Sequence, residues 1–266
     1  MPASCTHAYF GNKVFDLLDD EIKHRILPYK SHYMMGLYGP DPLFFYKAYK
    51  RNSVNDYGDK IHSQEAYLFF ERGRTIYQNS SNKDACLAYL CGFMNHFILD
   101  SELHGYVNEA EKQYHVSHAR IEADLDRAIL VREGLKASST SYTHFMFPSQ
   151  DVTDIMADFL DVDKELMLTT VKHMKLFNND LFIEGVLLTM LDSRTNLGFE
   201  VVEYIIVDKN TIKNDSYISV YGTLPIINET IGENIFLNLI LISCMRYLFL
   251  LFRIISEQCF FQYPIC

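Results

Sequence analysis

The segment 92–104 reads Gly-Phe-Met-Asn-His-Phe-Ile-Leu-Asp-Ser-Glu-Leu-His, and it sets His96, Asp100 and His104 at successive steps of four inside an apolar run. Residues four apart in an α-helix lie one above the other. The spacing therefore predicts a helix with three potential metal ligands near one face, in a segment otherwise built to be buried. Fourteen residues after the last of them, His118 and Glu122 repeat the four-residue step.

A chain of 266 residues is long enough to bury a real hydrophobic core, as one large domain or two modest ones. Hydrophobic residues make up 48% and aromatics 14%, which is a globular composition with an aromatic-rich core. The formal net charge of −10 argues against a surface that tracks nucleic-acid phosphates, which needs clustered Lys and Arg. It leaves phosphate-ester chemistry open, because bound cations can supply positive charge locally. The six cysteines form no C-x-x-C pair and no dense framework, so they read as reduced, buried thiols. The first residues lack a basic segment followed by an apolar one, so the expected location is cytoplasmic.

Along the chain, apolar residues at three- and four-residue steps predict an amphipathic helix over 6–26, with His7 at its start. The two Gly and two Pro of the stretch 36–42 interrupt that pattern and fix Asp41 in a loop. Residues 43–61 read as a segment that frays into a polar loop. A new helix is expected from Ser63, placing His62 at its N-terminal edge. The next helix covers 84–103 and ends at Gly105, and another covers 118–135. Residues 136–150 read as a loop, and 152–177 and 181–191 as two further helices. Asp124 and Asp126 read as solvent-facing, and His24, His32, His115, His144 and His173 lack a defensible ligand partner.

After about residue 196 the character changes. The runs 201–207 and 217–221 are β-branched and aromatic and favour strands. Residues 235–255 are strongly apolar and long enough to cross a bilayer. Arg246 and Arg253 within them would each cost about 2.5–3.5 kcal/mol near its centre, which favours a packed helix or a divergent tail over a span. The expected organisation is an all-α domain over 1–198, followed by a divergent region over 199–266.

The candidate donors are His7, Asp41, His62, His96, Asp100, His104, His118 and Glu122. A set of imidazoles and carboxylates without thiolate suits zinc in a hydrolytic site, where the protein leaves a position for water. Two ions about 3.5–4 Å apart can clamp the attacking and leaving oxygens of a phosphoryl displacement. No Gly-x-Ser-x-Gly nucleophile elbow and no Gly-x-x-x-x-Gly-Lys phosphate loop occurs.

The series Thr6-His7-Ala8-Tyr9-Phe10, Gly39-Pro40-Asp41-Pro42, Ile61-His62-Ser63, the 92–104 segment and His118-(x3)-Glu122 resembles the bacterial zinc-dependent phospholipase C family over roughly residues 3–196. The resemblance implies an all-α, multi-helix bundle of the phospholipase C and single-strand-nuclease type, with two to three zinc ions. It places Asp41, His62, His96 and Asp100 around one zinc, and His104, His118 and Glu122 at a second. His7 and a bridging Asp100 would hold the third. Asp41 matches the loop aspartate that orients or deprotonates the attacking water. Secreted relatives use the free amino terminus of a mature Trp at the third zinc; this chain has no Trp, so either Pro2, Cys5 or another group takes that place, or the third metal is weakly held.

The implied activity is hydrolysis of phospholipid head-group phosphodiesters, with a phospholipid or small phosphodiester as substrate, nucleic acid not favoured, and membrane-surface contact allowed for. A related trinuclear-zinc nuclease, nucleotidase or small phosphate-ester hydrolase is the alternative. So is a non-catalytic helical protein stabilised by metal.

Overall fold

The 32-residue helix α6 (Lys83–Tyr114) is the element on which most of the others pack. It starts where the Asn82 side chain accepts from the Ala85 N–H, and it ends at His115, which takes a left-handed conformation with φ 53°. The computed structural model describes residues 4–48, 50–115, 118–135 and 143–183. Among these the secondary structure is helical, with no strand.

Before α6 come α1 (Ser4–Asp16), α2 (Asp20–Ile26), α3 (Lys30–Gly36), α4 (Ser53–Ser63) and α5 (Ala66–Asn79). After it come α7 (His118–Arg132), α8 (Gln150–Leu160) and α9 (Lys164–Ile183). The all-α expectation holds across the described residues. The strand-like runs 201–207 and 217–221, the apolar run 235–255 and the whole of 199–266 lie outside them, as does most of the helix expected over 181–191.

Several expected boundaries move, each for a local reason. The helix expected over 6–26 is two helices, because the Asp19 side chain accepts from Glu21 N–H and caps a new start at α2. The expected loop before Ile61 contains α4, whose N-cap Asn52 accepts from the N–H groups of Val54 and Asn55. His62 thus closes α4 instead of opening the next helix. Gly105 does not end α6. Beyond it Val107 and Ala110 are fully buried, and that packing outweighs the roughly 1 kcal/mol cost of an interior glycine. The helix expected over 152–177 is split at Asp161, which has φ 56° and closes α8.

Among the described helices the contact between α3 and α6 is the most extensive. It is close because glycines face each other there: a Cβ at Gly36 would lie 2.8 Å from the Phe93 nitrogen and 2.9 Å from the Gly92 Cα. A buried polar chain crosses the same region. The Asn95 amide donates to the Tyr33 hydroxyl at 3.2 Å, and that hydroxyl donates to the Gly11 carbonyl at 2.7 Å, linking α6, α3 and α1. On the far side of α6, Phe69 stacks on Phe93 at 3.6 Å between ring centroids, and Phe159 lies 5.1 Å from Tyr89. The core is as aromatic as the composition predicts.

Candidate metal centre

Helix α6 projects His96, Asp100 and His104 toward the side covered by α1, the 41–45 turn and α7. Each neighbour adds donors. Helix α1 carries His7 in its first turns, and Asp41 opens a 3₁₀ turn (Asp41–Phe45) directly after α3. His62 sits in the last turn of α4, and α7 supplies His118 and Glu122.

The position of Asp41 follows from the chain reversal before it. Gly39 has φ 50°, its N–H donates to Gly36 O at 2.9 Å, and the Asp41 N–H donates to Tyr38 O at 3.0 Å. Asp41 is thereby 2% exposed. The Asn55 amide donates to Leu43 O at 2.8 Å, which ties α4 to the 41–45 turn and brings His62 to Asp41. Nε2 of His62 lies 3.0 Å from Asp41 Oδ1, and Phe44 stacks on the His62 ring at 5.4 Å.

All eight donors expected from the sequence come together in three groups, with the donor atoms of each group within 4.8 Å of one another. The first is His7, His96 and Asp100; the second is Asp41, His62 and His96; the third is His104, His118 and Glu122. The first two share His96. Asp100 lies between them, with Oδ1 3.1 Å from His7 Nε2 and Oδ2 3.3 Å from His96 Nε2 and 3.9 Å from His62 Nε2. In the third group Glu122 Oε1 is 2.9 Å from His118 Nε2 and 3.7 Å from His104 Nε2. A cavity of about 20 Å³ separates the first group from the third, lined by His7, Asp100, His104 and Glu122 among others. That is room for one water-sized occupant.

The chemistry of these donors fits a divalent metal such as zinc. They are imidazoles and carboxylates only, and Nδ1 of His7, Nε2 of His96 and Nε2 of His104 are buried without a hydrogen bond. Two of the histidines have backbone acceptors on the nitrogen turned away from the group. His96 Nδ1 faces Leu37 O at 3.2 Å, and His62 Nδ1 faces Gly58 O at 2.9 Å. With Nδ1 as donor in each, Nε2 is the atom that offers a lone pair, which is the arrangement that orients a metal-binding imidazole.

Electrostatics divide the imidazoles. Complete burial pushes His96 down to about 4, against the opposing pull of Asp100, so it is neutral at pH 7. Burial also acts downward on His62, but the hydrogen bond and charge of Asp41 outweigh it and raise it to about 9. For His7 burial is again overcome, by Asp100 first and Asp41 and Asp126 behind it, so its pKa rises. Burial alone would raise Asp100; the imidazoles of His96 and His7 outweigh it and hold the carboxyl well below the usual range. Without metal, the proton on His62 offsets charge on the buried carboxylates.

None of His24, His32, His115, His144 and His173 joins these groups. Cys5 is buried and free, and burial pushes its thiol up, away from the thiolate a metal ligand requires. Asp126 departs from its solvent-facing expectation. It accepts from the N–H groups of Cys5 and Thr6 and from the Thr6 hydroxyl, at the start of α1. The signal was present in the sequence, since the step that selects His118 and Glu122 runs on to Asp126.

Among known proteins, the model of a family described as zinc dependent phospholipase C matches residues 6–173. A 40-residue stretch is 60% identical to the sporulation initiation inhibitor protein Soj of Bacillus subtilis (strain 168), covering 15% of this chain and 16% of that one. The chain thus spans about one sixth of that relative's length. No solved structure gives a significant match.

Proposed function

The chain belongs to the zinc-dependent phospholipase C family, and from that membership we propose that it hydrolyses phospholipid head-group phosphodiesters at the site formed by His7, Asp41, His62, His96, Asp100, His104, His118 and Glu122. The observation that carries this reading is the convergence of donors from α1, the 41–45 turn, α4, α6 and α7 into three groups that share or border His96 and Asp100. A structural zinc site closes its coordination with four protein ligands, whereas groups of three leave a position for water or substrate.

Zinc held by these groups would supply Lewis-acid charge to the phosphate and make a nearby water a stronger nucleophile at neutral pH. The protein's own groups do the rest. Asp100, between His7 and His96, holds negative charge between two of the groups and fixes their separation. His96, kept neutral by burial, presents Nε2 without having to release a proton. Asp41 matches the family's loop aspartate and in this reading would orient the attacking water and take its proton, with His62 Nε2 3.0 Å from its Oδ1. Glu122, 3% exposed, holds His118 and faces His104 across the third group.

The test is an assay of the purified, zinc-loaded chain on phosphatidylcholine vesicles, a chromogenic choline phosphodiester and single-stranded DNA in parallel. Release of a phosphorylated head group, with two to three zinc ions per chain, is expected. Turnover of DNA alone would reassign the site to a nuclease, and a folded chain that binds no zinc would overturn the reading.

A further inference from the structure

Asp126 is not one of the eight candidate ligands, yet it grips the helix that carries one of them. Its Oδ2 accepts from the Cys5 N–H at 3.1 Å, and its Oδ1 accepts from both the Thr6 N–H and the Thr6 hydroxyl at 2.6 Å each. These donors belong to the first turn of α1, where backbone N–H groups have no partner inside the helix. Cys5 and Thr6 are 5% and 2% exposed, so water does not stand in for the carboxylate there. The next residue is His7.

The ring of His7 depends on its backbone being held. Its Nδ1 has no hydrogen bond, so the ring is oriented by the 3.1 Å contact of Nε2 with Asp100 and by stacking on His96 at 4.5 Å. Neither contact reaches the backbone of α1. On α7, Asp126 lies one turn beyond Glu122, so a single carboxylate joins the helix of the third group to the turn just before His7, the first group's opening residue.

We propose that Asp126 is a positioning residue, which fixes the first turn of α1 on α7 and thereby holds His7 in register with Asp100. The proposal rests on the reading of His7 as a zinc ligand. It makes the first and third groups one mechanical unit: α7 supplies two ligands directly and sets a third through Asp126.

The experiment uses the full chain with Asp126→Asn, Asp126→Ala and His7→Ala, and the double variant His7→Ala/Asp126→Asn. Zinc equivalents are measured by elemental analysis, and zinc affinity by competition with a chromophoric chelator. Asp126→Asn should weaken one zinc equivalent about 10-fold, the lower end of the cost of losing a supporting partner, and Asp126→Ala should lose it, with the other equivalents unchanged. His7→Ala should lose that same equivalent, and Asp126→Asn should then add no further loss. Wild-type zinc binding in both Asp126 variants overturns the proposal. So does an additive loss in the double variant, which would make Asp126 a ligand or a general support, and so does unfolding of both Asp126 variants by circular dichroism. If His7→Ala keeps every zinc equivalent, the reading of the site itself fails and the proposal falls with it.

Discussion

Gly39 packs directly against His96: a Cβ at position 39 would fall within the His96 imidazole, only 2.5 Å from Nε2. Gly39 also has φ 50°, a backbone conformation that L side chains seldom adopt. Gly39→Ala therefore meets a clash and backbone strain together. It should lower stability by about 1–3 kcal/mol and weaken zinc binding at the groups containing His96. Denaturant melts and zinc titration of the variant check this; unchanged zinc affinity would show that the ring does not need this wall.

Asp100 touches three imidazoles from three helices. Its replacement by Asn keeps the shape and removes the carboxylate charge that faces His7, His62 and His96. Asp100→Asn should reduce bound zinc by at least one equivalent and abolish measurable phosphodiester hydrolysis, while circular dichroism stays helical. A variant with full zinc content and normal turnover would remove Asp100 from the site.

The metal-free protein should show a distinct pH dependence. His62 has a folded pKa of about 9, above its ordinary value of 6.5. A group raised in this way stabilises the fold fully below pH 6.5 and loses that contribution as pH climbs through 9. Thermal melts in chelator should fall across that window, by on the order of 2–3 kcal/mol, and His62→Gln should flatten the fall. Zinc must displace the same proton, so zinc affinity should rise with pH over the same range, with proton release visible by calorimetry in two buffers.

Chelation should destabilise the folded protein, because zinc binds the assembled groups and not the unfolded chain. At free zinc 100-fold above its dissociation constant, the stabilisation is about 2.7 kcal/mol per site. Melting with and without chelator reads the difference directly. Substituting His144, which joins no group, should leave the chelator effect as it is.

Parts of the site that lie within one helix were legible from spacing. His96, Asp100 and His104 on α6, and His118 and Glu122 on α7, follow from the four-residue step that aligns side chains on one face. The helical class was legible for the same reason. Element boundaries were not, because caps such as Asn52 and Asp19 and the packing of Val107 and Ala110 decided where helices start and how far they run. Asp126 reads as solvent-facing although it continues the four-residue step of His118 and Glu122, because spacing names a helix face and not its partner; the partners, Cys5 and Thr6, lie about 120 residues away.

By itself the sequence determined which donors this protein has and which of them share a helix face, since those are matters of side-chain chemistry and a fixed helical repeat. Only the tertiary structure decided that His7, Asp41 and His62 join them. Those residues come from separate elements: Gly36 and Gly92 let the backbones of α3 and α6 approach and Gly39 leaves room for the His96 ring, Asn55 ties α4 and its His62 to the turn of Asp41, and Asp126 holds the first turn of α1 that carries His7.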